Sequence, residues 1–226
     1  MPAPGLAYAG RPDRLKPTRF VNSLEFDPPQ LAALPPGPVS CAWWPYRRGD
    51  DAERRIRGWL GDLWALPPAA MTIARDSHGR PFLEAGAHRV DLNWSHSGDW
   101  LIAVCAERAR VGVDIEWLRP RPRALALARR FFTPAETAEL AAMADDPTRL
   151  EHGFTRLWCA KEAVLKAHGR GLSFGLEKLQ FALDDDGPPR LVACDPALGA
   201  PEDWRLHAWT PVPGYLATLA CKQIPS

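Results

Sequence analysis

Residues 111–116 read Val-Gly-Val-Asp-Ile-Glu. Side chains alternate across a strand, so Val111, Val113 and Ile115 share one face while Asp114 and Glu116 share the other. The stretch sits where the chain changes character. Before it the order reads strand, helix, strands; after it, helices, then strands. That order predicts an α+β protein of two halves joined near residue 112, a 39–112 N-terminal half and a 113–226 C-terminal half. Two carboxylates aimed the same way from an apolar strand repel each other in a partly buried site. A divalent cation resolves that conflict, and hard oxygen ligands suit Mg²⁺. A strand whose polar face simply meets solvent would look the same, so the pair needs company before it means chemistry.

Working toward the N-terminus, Trp100–Ala106 and Arg89–Ser95 read as strands, and Met71–Arg75 as a short one. A helix capped by Asp50 or Asp51 runs to about Leu66, where Pro67-Pro68 stops it. Its apolar face is Ile56, Trp59, Leu60, Leu63 and Trp64. Val39–Tyr46 reads as a strand weakened by Pro45. Residues 1–38 are Pro-rich without periodicity and read as an extended arm. One strand end and one turn carry polar groups. Asn93, Ser95 and His96 are donors suited to phosphate oxygens. In Gly79-Arg80-Pro81 a stiff turn would present a guanidinium that could hold phosphate bidentately.

Toward the C-terminus, helices are expected over Arg123–Phe132 and Pro134–Ala144, the second opened by a Thr133/Glu136 capping box. A longer helix runs from about Pro147 to His168 and ends at Gly169. On it Trp158, Glu162 and Lys166 lie at i, i+4 and i+8 on one stripe. An exposed Glu–Lys pair would be bland, but Trp158 on the same stripe argues for a partly enclosed cleft. Strands follow near Leu179–Leu183, Trp204–Thr210 and Tyr215–Cys221.

Composition narrows the classes. Twenty-eight Lys and Arg against 27 Asp and Glu give a net charge of +1, which does not suggest a nucleic-acid binder. Five cysteines without a Cys-x-x-Cys support neither a disulfide framework nor a zinc knuckle. No apolar run approaches a membrane span, and Met1–Gly10 lacks a signal pattern, so the chain reads as cytoplasmic. There is no Gly-x-Ser-x-Gly and no P-loop, which disfavours an ordinary hydrolase or NTPase.

Taken in order, Asn93–Trp100, Val111–Glu116, Arg130–Glu136 and Leu157–Ser173 resemble the 4'-phosphopantetheinyl transferases of the monomeric, surfactin-synthetase-activating type. The resemblance is strongest over residues 75–185. The Trp158–Ala163 block looks like the branch tied to fatty-acid-type carriers. The resemblance implies two similar α/β halves packed as a pseudo-dimer, with the active site in the cleft between them. It implies transfer of the phosphopantetheine arm from coenzyme A to a serine of an apo acyl or peptidyl carrier protein, with release of adenosine 3',5'-bisphosphate. It implies Asp114, Glu116 and Glu162 as Mg²⁺ ligands, with Lys166 beside the pyrophosphate. His96 and Ser95 match phosphate neighbours, Arg80 the contact to the 3'-phosphate, and Arg55 and Arg54 the contacts from the first long helix. Glu162, with Glu116 second, is the expected base for the carrier serine. Trp158 and Lys161 match the motif as structural supports. Arg121, Arg123, Arg129 and Arg130, with Phe131 and Phe132, are candidates to meet an acidic carrier. One departure stands out: the basic segment that precedes the first helix in this family is missing. Either Arg47 and Arg48 replace it or the nucleotide is held differently. A non-catalytic relative that binds coenzyme A or carrier proteins is the competing expectation.

Overall fold

A computed structural model describes residues 39–85, 88–184 and 187–224. The Pro-rich arm expected over 1–38 lies outside the described residues. The chain opens with strand β1 (Val39–Pro45) and helix α1 (Ala52–Trp64), then strands β2 (Thr72–Arg75), β3 (Pro81–Ala85), β4 (His88–Ser97) and β5 (Trp100–Ala106). These strands form one antiparallel sheet in the order β1-β5-β4-β3-β2. Asp51 caps α1 by accepting from the Arg54 amide. The expected apolar face of α1 is buried against this sheet.

The rest of the chain is strand β6 (Ala109–Trp117), helices α2 (Ala124–Phe131), α3 (Pro134–Ala141) and α4 (Pro147–His168), and strands β7 (Leu179–Ala182), β8 (Arg190–Cys194), β9 (Trp204–Trp209) and β10 (Tyr215–Gln223). Strands β6, β10 and β9 make a second sheet in that order, and β7 pairs with β8. The protein is therefore a mixed α+β molecule. The strand order repeats. In each part the first strand lies beside the last, the last beside the one before it, and the middle two form a hairpin. Helices α2 and α3 are inserted before α4 in the second part. The sequence reading omits β3 and β8, one partner from each middle hairpin.

Two packing features fix the position of β6. On one face Val111, Val113 and Ile115 join Ile102 and Val104 of β5 and Leu219 of β10 in a common core. On the other face Gly112 meets α4. A Cβ on Gly112 would lie 2.1 Å from the Ala163 carbonyl oxygen and 2.4 Å from the Ala167 amide nitrogen. Only glycine lets helix backbone rest on strand backbone there. The same face carries Asp114 and Glu116 two and four residues on, so this contact delivers them to α4.

The third feature is a ladder between β4 and β6. The amides of Val111, Val113 and Trp117 donate to the side chains of Asp91 (2.6 Å), Asn93 (3.0 Å) and Ser97 (3.2 Å). Alternate side chains of β4 thus hold alternate amides of β6 in register. A further tie lies at the β4–β5 turn. Gly98 has a positive φ of 51°, and a Cβ there would be 2.5 Å from the Tyr215 hydroxyl, which accepts from the Asp99 amide.

Candidate functional site

The site is built where β4, β6 and α4 meet. Asp114 is 2% exposed. Its Oδ1 accepts from Lys166 Nζ at 2.6 Å and from Ser95 Oγ at 2.8 Å. Lys166 Nζ also donates to Ser95 Oγ and lies 3.5 Å from Glu162. Asp114 Oδ2 is buried without a hydrogen-bond partner. Glu116, two residues on, accepts from Arg121 at 2.5 Å and from Ser97 at 3.3 Å. The structure thus gathers Asp114, Glu162, Lys166 and Ser95 in direct contact, with Glu116 beside them.

Crowding perturbs these groups. Burial first, then Asp114, pushes the Glu162 carboxyl up to about 7, although Lys166 opposes the rise. Burial and Asp114 also raise Glu116, against the pull of Arg121 and Ser97. Burial works against the Lys166 charge, but Asp114 and Glu162 outweigh it and hold the ammonium above its ordinary range. Cys159, buried beside this group, has its thiol pushed far up by burial and then by Asp114 and Glu116, so it is a packing residue rather than a nucleophile.

The fit of a divalent cation is tested on these contacts. Among the described residues no group of three or more carboxylate, His or Cys side chains forms a ready-made cage. Lys166 holds Asp114 and Arg121 holds Glu116. The donor set nevertheless fits. It offers hard oxygens, one of them a buried Asp114 oxygen that lacks a partner, and acids that resist ionising together.

Several expected residues stand elsewhere. Arg80 is not presented on its turn. Its side chain is 3% exposed and is spent on Asp91, on the Val111 carbonyl and on the Lys166 carbonyl. His96 is exposed and stacks on Tyr46 at 5.0 Å, one residue out of phase with Ser95 and so on the opposite face of β4. Tyr46 and Arg55 line an open recess of about 500 Å³ with Arg47, Asp50 and Asp99. Arg54 is exposed on α1, where only its amide is engaged, by the cap.

Lys161 proves to be structural. Fully buried, it pairs with Glu136 at 2.8 Å and donates to the carbonyls of Leu176 (2.9 Å) and Leu179. Glu136 completes the expected capping box with Thr133 and also accepts from the Phe181 amide. Trp158 stacks with Phe154 and packs on Phe131 and Phe132. Of the arginines expected to meet a partner, Arg123, Arg129 and Arg130 are exposed. Arg121 belongs instead to Glu116. Nothing in the sequence marks that pair beyond a separation of five residues. Asn93 is likewise a register clamp, its Oδ1 accepting from the Val113 amide.

The fold and site define a mixed α+β chain whose acidic cluster, held by Lys166 and Arg121, lies where the two sheets meet α4. Residues 110–220 match the family model described as the 4'-phosphopantetheinyl transferase superfamily. The matched stretch holds Asp114, Glu116, Glu162 and Lys166, the residues whose motifs led us to expect this family. The chain is 35% identical over 139 residues to 4'-phosphopantetheinyl transferase psf-1 of Bacillus pumilus, covering 62% of this chain and 57% of that protein. It is 32% identical over 150 residues to 4'-phosphopantetheinyl transferase Sfp of Bacillus subtilis (strain 168), covering 61% and 62%. The chain therefore spans less than two thirds of the length of these relatives. A holo-(acyl-carrier-protein) synthase from Bacillus anthracis in complex with CoA aligns with a TM-score of 0.39 and 20% identity, over 50% of this chain and 94% of that one. Among the described residues no helix is long and apolar enough to cross a membrane.

Proposed function

We propose that this protein moves the 4'-phosphopantetheine group from coenzyme A to a serine of an apo acyl or peptidyl carrier protein and releases adenosine 3',5'-bisphosphate. The observation that carries the reading is Lys166 held between Asp114 and Glu162, with Glu116 two residues along the same strand face and a buried Asp114 oxygen still unpartnered. The superfamily match over residues 110–220 and relatives named as such transferases support it. In this reading the three carboxylates hold Mg²⁺, which when bound would offset the negative charge of the pyrophosphate. The carrier serine hydroxyl attacks the phosphorus next to the pantetheine arm in line with the leaving phosphate. One P–O bond forms as the other breaks, and the serine proton passes to Glu162, or to Glu116, directly or through a water. Lys166 supplies a fixed positive charge for the departing phosphate, and Ser95 a hydroxyl beside it.

His96 and the recess lined by Arg55 and Arg47 are the proposed nucleotide side, with Arg54 nearby on α1. The exposed Arg123, Arg129 and Arg130 are the proposed face for an acidic carrier. We keep the division into two halves, which the repeated strand order supports with the second half opening at Ala109 of β6 rather than at residue 113, and a monomer working in the cytoplasm. The test is direct. Protein, coenzyme A, Mg²⁺ and a panel of apo carriers are incubated, and the carriers are weighed for a phosphopantetheine adduct. Folded protein that modifies no carrier would end this reading. Asp114→Ala should abolish transfer while circular dichroism stays unchanged; retained transfer would remove Asp114 from the site.

A further inference from the structure

Arg80 and Asp91 form a buried ion pair that neither metal nor phosphate explains. Both guanidinium nitrogens Nη1 and Nη2 of Arg80 donate to the two Asp91 carboxylate oxygens. Nη2 also donates to the Val111 carbonyl, and Asp91 Oδ2 accepts from the Val111 amide at 2.6 Å. The pair therefore offers Val111 an acceptor for its amide and a donor for its carbonyl, as a neighbouring strand would. Val111 stands three residues before Asp114 on the same strand.

The other end of Arg80 reaches α4. Its Nε donates to the Lys166 carbonyl at 3.0 Å. That carbonyl lies in the final turn, where helix carbonyls lack partners within the helix and a cation is favoured. The arginine stem packs tightly beneath that turn. Gly169 has a φ of +99°, and a Cβ there would come within 3.0 Å of Arg80 Cδ. One side chain thus fixes both the backbone of Lys166 and the strand that bears Asp114. Lys166 Nζ and Asp114 Oδ1 are themselves only 2.6 Å apart. Arg110, 3.5 Å from Asp91, is 43% exposed and only flanks the pair.

We infer that Arg80 and Asp91 are a positioning pair that sets Lys166 against Asp114, and that Arg80 does not bind the nucleotide. The kinetic part of this inference rests on the transferase reading. A lysine could serve as a point charge toward a phosphate, but it cannot reproduce the planar fork that grips Asp91, Val111 and Lys166 at once. The two roles therefore separate on substitution.

The experiment compares wild type, Arg80→Lys and Asp91→Asn in two measurements. In steady state, with coenzyme A and with 3'-dephospho-coenzyme A, the positioning role predicts a fall in kcat on the order of a hundredfold for either variant. KM for coenzyme A should hold within about twofold, and the loss should be equal for both substrates. A loss confined to KM and absent with 3'-dephospho-coenzyme A would overturn the inference, as would full activity in Arg80→Lys. The second measurement is amide hydrogen exchange of the unliganded proteins. Faster exchange at Val111 and in the 166–169 turn, with the middle of α4 unchanged, is expected. Unchanged exchange at both places would overturn the inference, and so would uniform acceleration across α4. If wild type modifies no carrier, the transferase reading fails and the exchange result alone decides whether the pair clamps strand to helix.

Discussion

At the scale of the residue, adjacent helix positions divide the labour. Lys161 points into the core and Glu162 into the site. Lys161 is charged, fully buried and tied to Glu136 and two carbonyls, so its removal strands Glu136. We expect Lys161→Ala to lower folding stability by about 3–5 kcal/mol, the range for breaking a buried pair from one side. Urea denaturation measures this; a loss under about 1 kcal/mol would show that Glu136 is satisfied by its amide donors alone. Glu162 sets a pH dependence. Its carboxyl binds a proton more tightly folded (about 7) than at its ordinary value of 4.5. The stability this contributes is full below about pH 4.5 and is lost as pH rises through about 7. In metal-free buffer the unfolding midpoint should fall across that window, and Glu162→Gln should flatten the fall. Added Mg²⁺ should restore the midpoint at the alkaline end, because a ligand that binds the folded state stabilises it. No response to Mg²⁺ would count against the metal assignment. Asp114, Glu116, Glu162 and Lys166 were legible because strand and helix periods each put two of them on one face. Arg80 was not: its burial depends on Asp91, Val111 and Lys166, which only the folded chain brings to it.

At the scale of the element, the contact between β6 and α4 is made backbone to backbone through Gly112. Gly112→Ala pushes a methyl into the Ala163 carbonyl and should cost about 3 kcal/mol or more. Gly58→Ala, on the open side of α1, has free space around its new Cβ and should stabilise by about 0.5–1 kcal/mol. Thermal unfolding of the two variants checks this; shifts of the same sign would mean that the helix does not rest on that glycine. Long elements were readable from caps and period. The Asp51 cap and the Thr133/Glu136 box stand where expected, as does the Gly169 stop. Strands β3 and β8 were not readable, because each is held by its hairpin partner and neither carries a period of its own.

At the scale of the molecule, the two sheets are joined by side chains rather than by a shared ladder of strands. Asp91, Asn93 and Ser97 reach β6, and Tyr215 of β10 reaches back to the β4–β5 turn. Tyr215→Phe removes the acceptor for the Asp99 amide while keeping the ring, and should cost about 0.5–1.5 kcal/mol in a single cooperative transition. Two separated transitions by circular dichroism would show that this hydroxyl couples the sheets more strongly than that. The repeated strand order was invisible in the sequence, because the repeat lies in topology and not in matching residues. The ladder has one more effect. Strand β6 is the outermost member of its sheet, and an open row of backbone amides at a sheet edge is a template for a stray strand. Here that edge is stoppered by polar side chains that cannot propagate a sheet. The groups that aim the acidic cluster thereby also protect the chain from aggregation, so damage at Asn93 or Ser97 should surface first as lost solubility during expression.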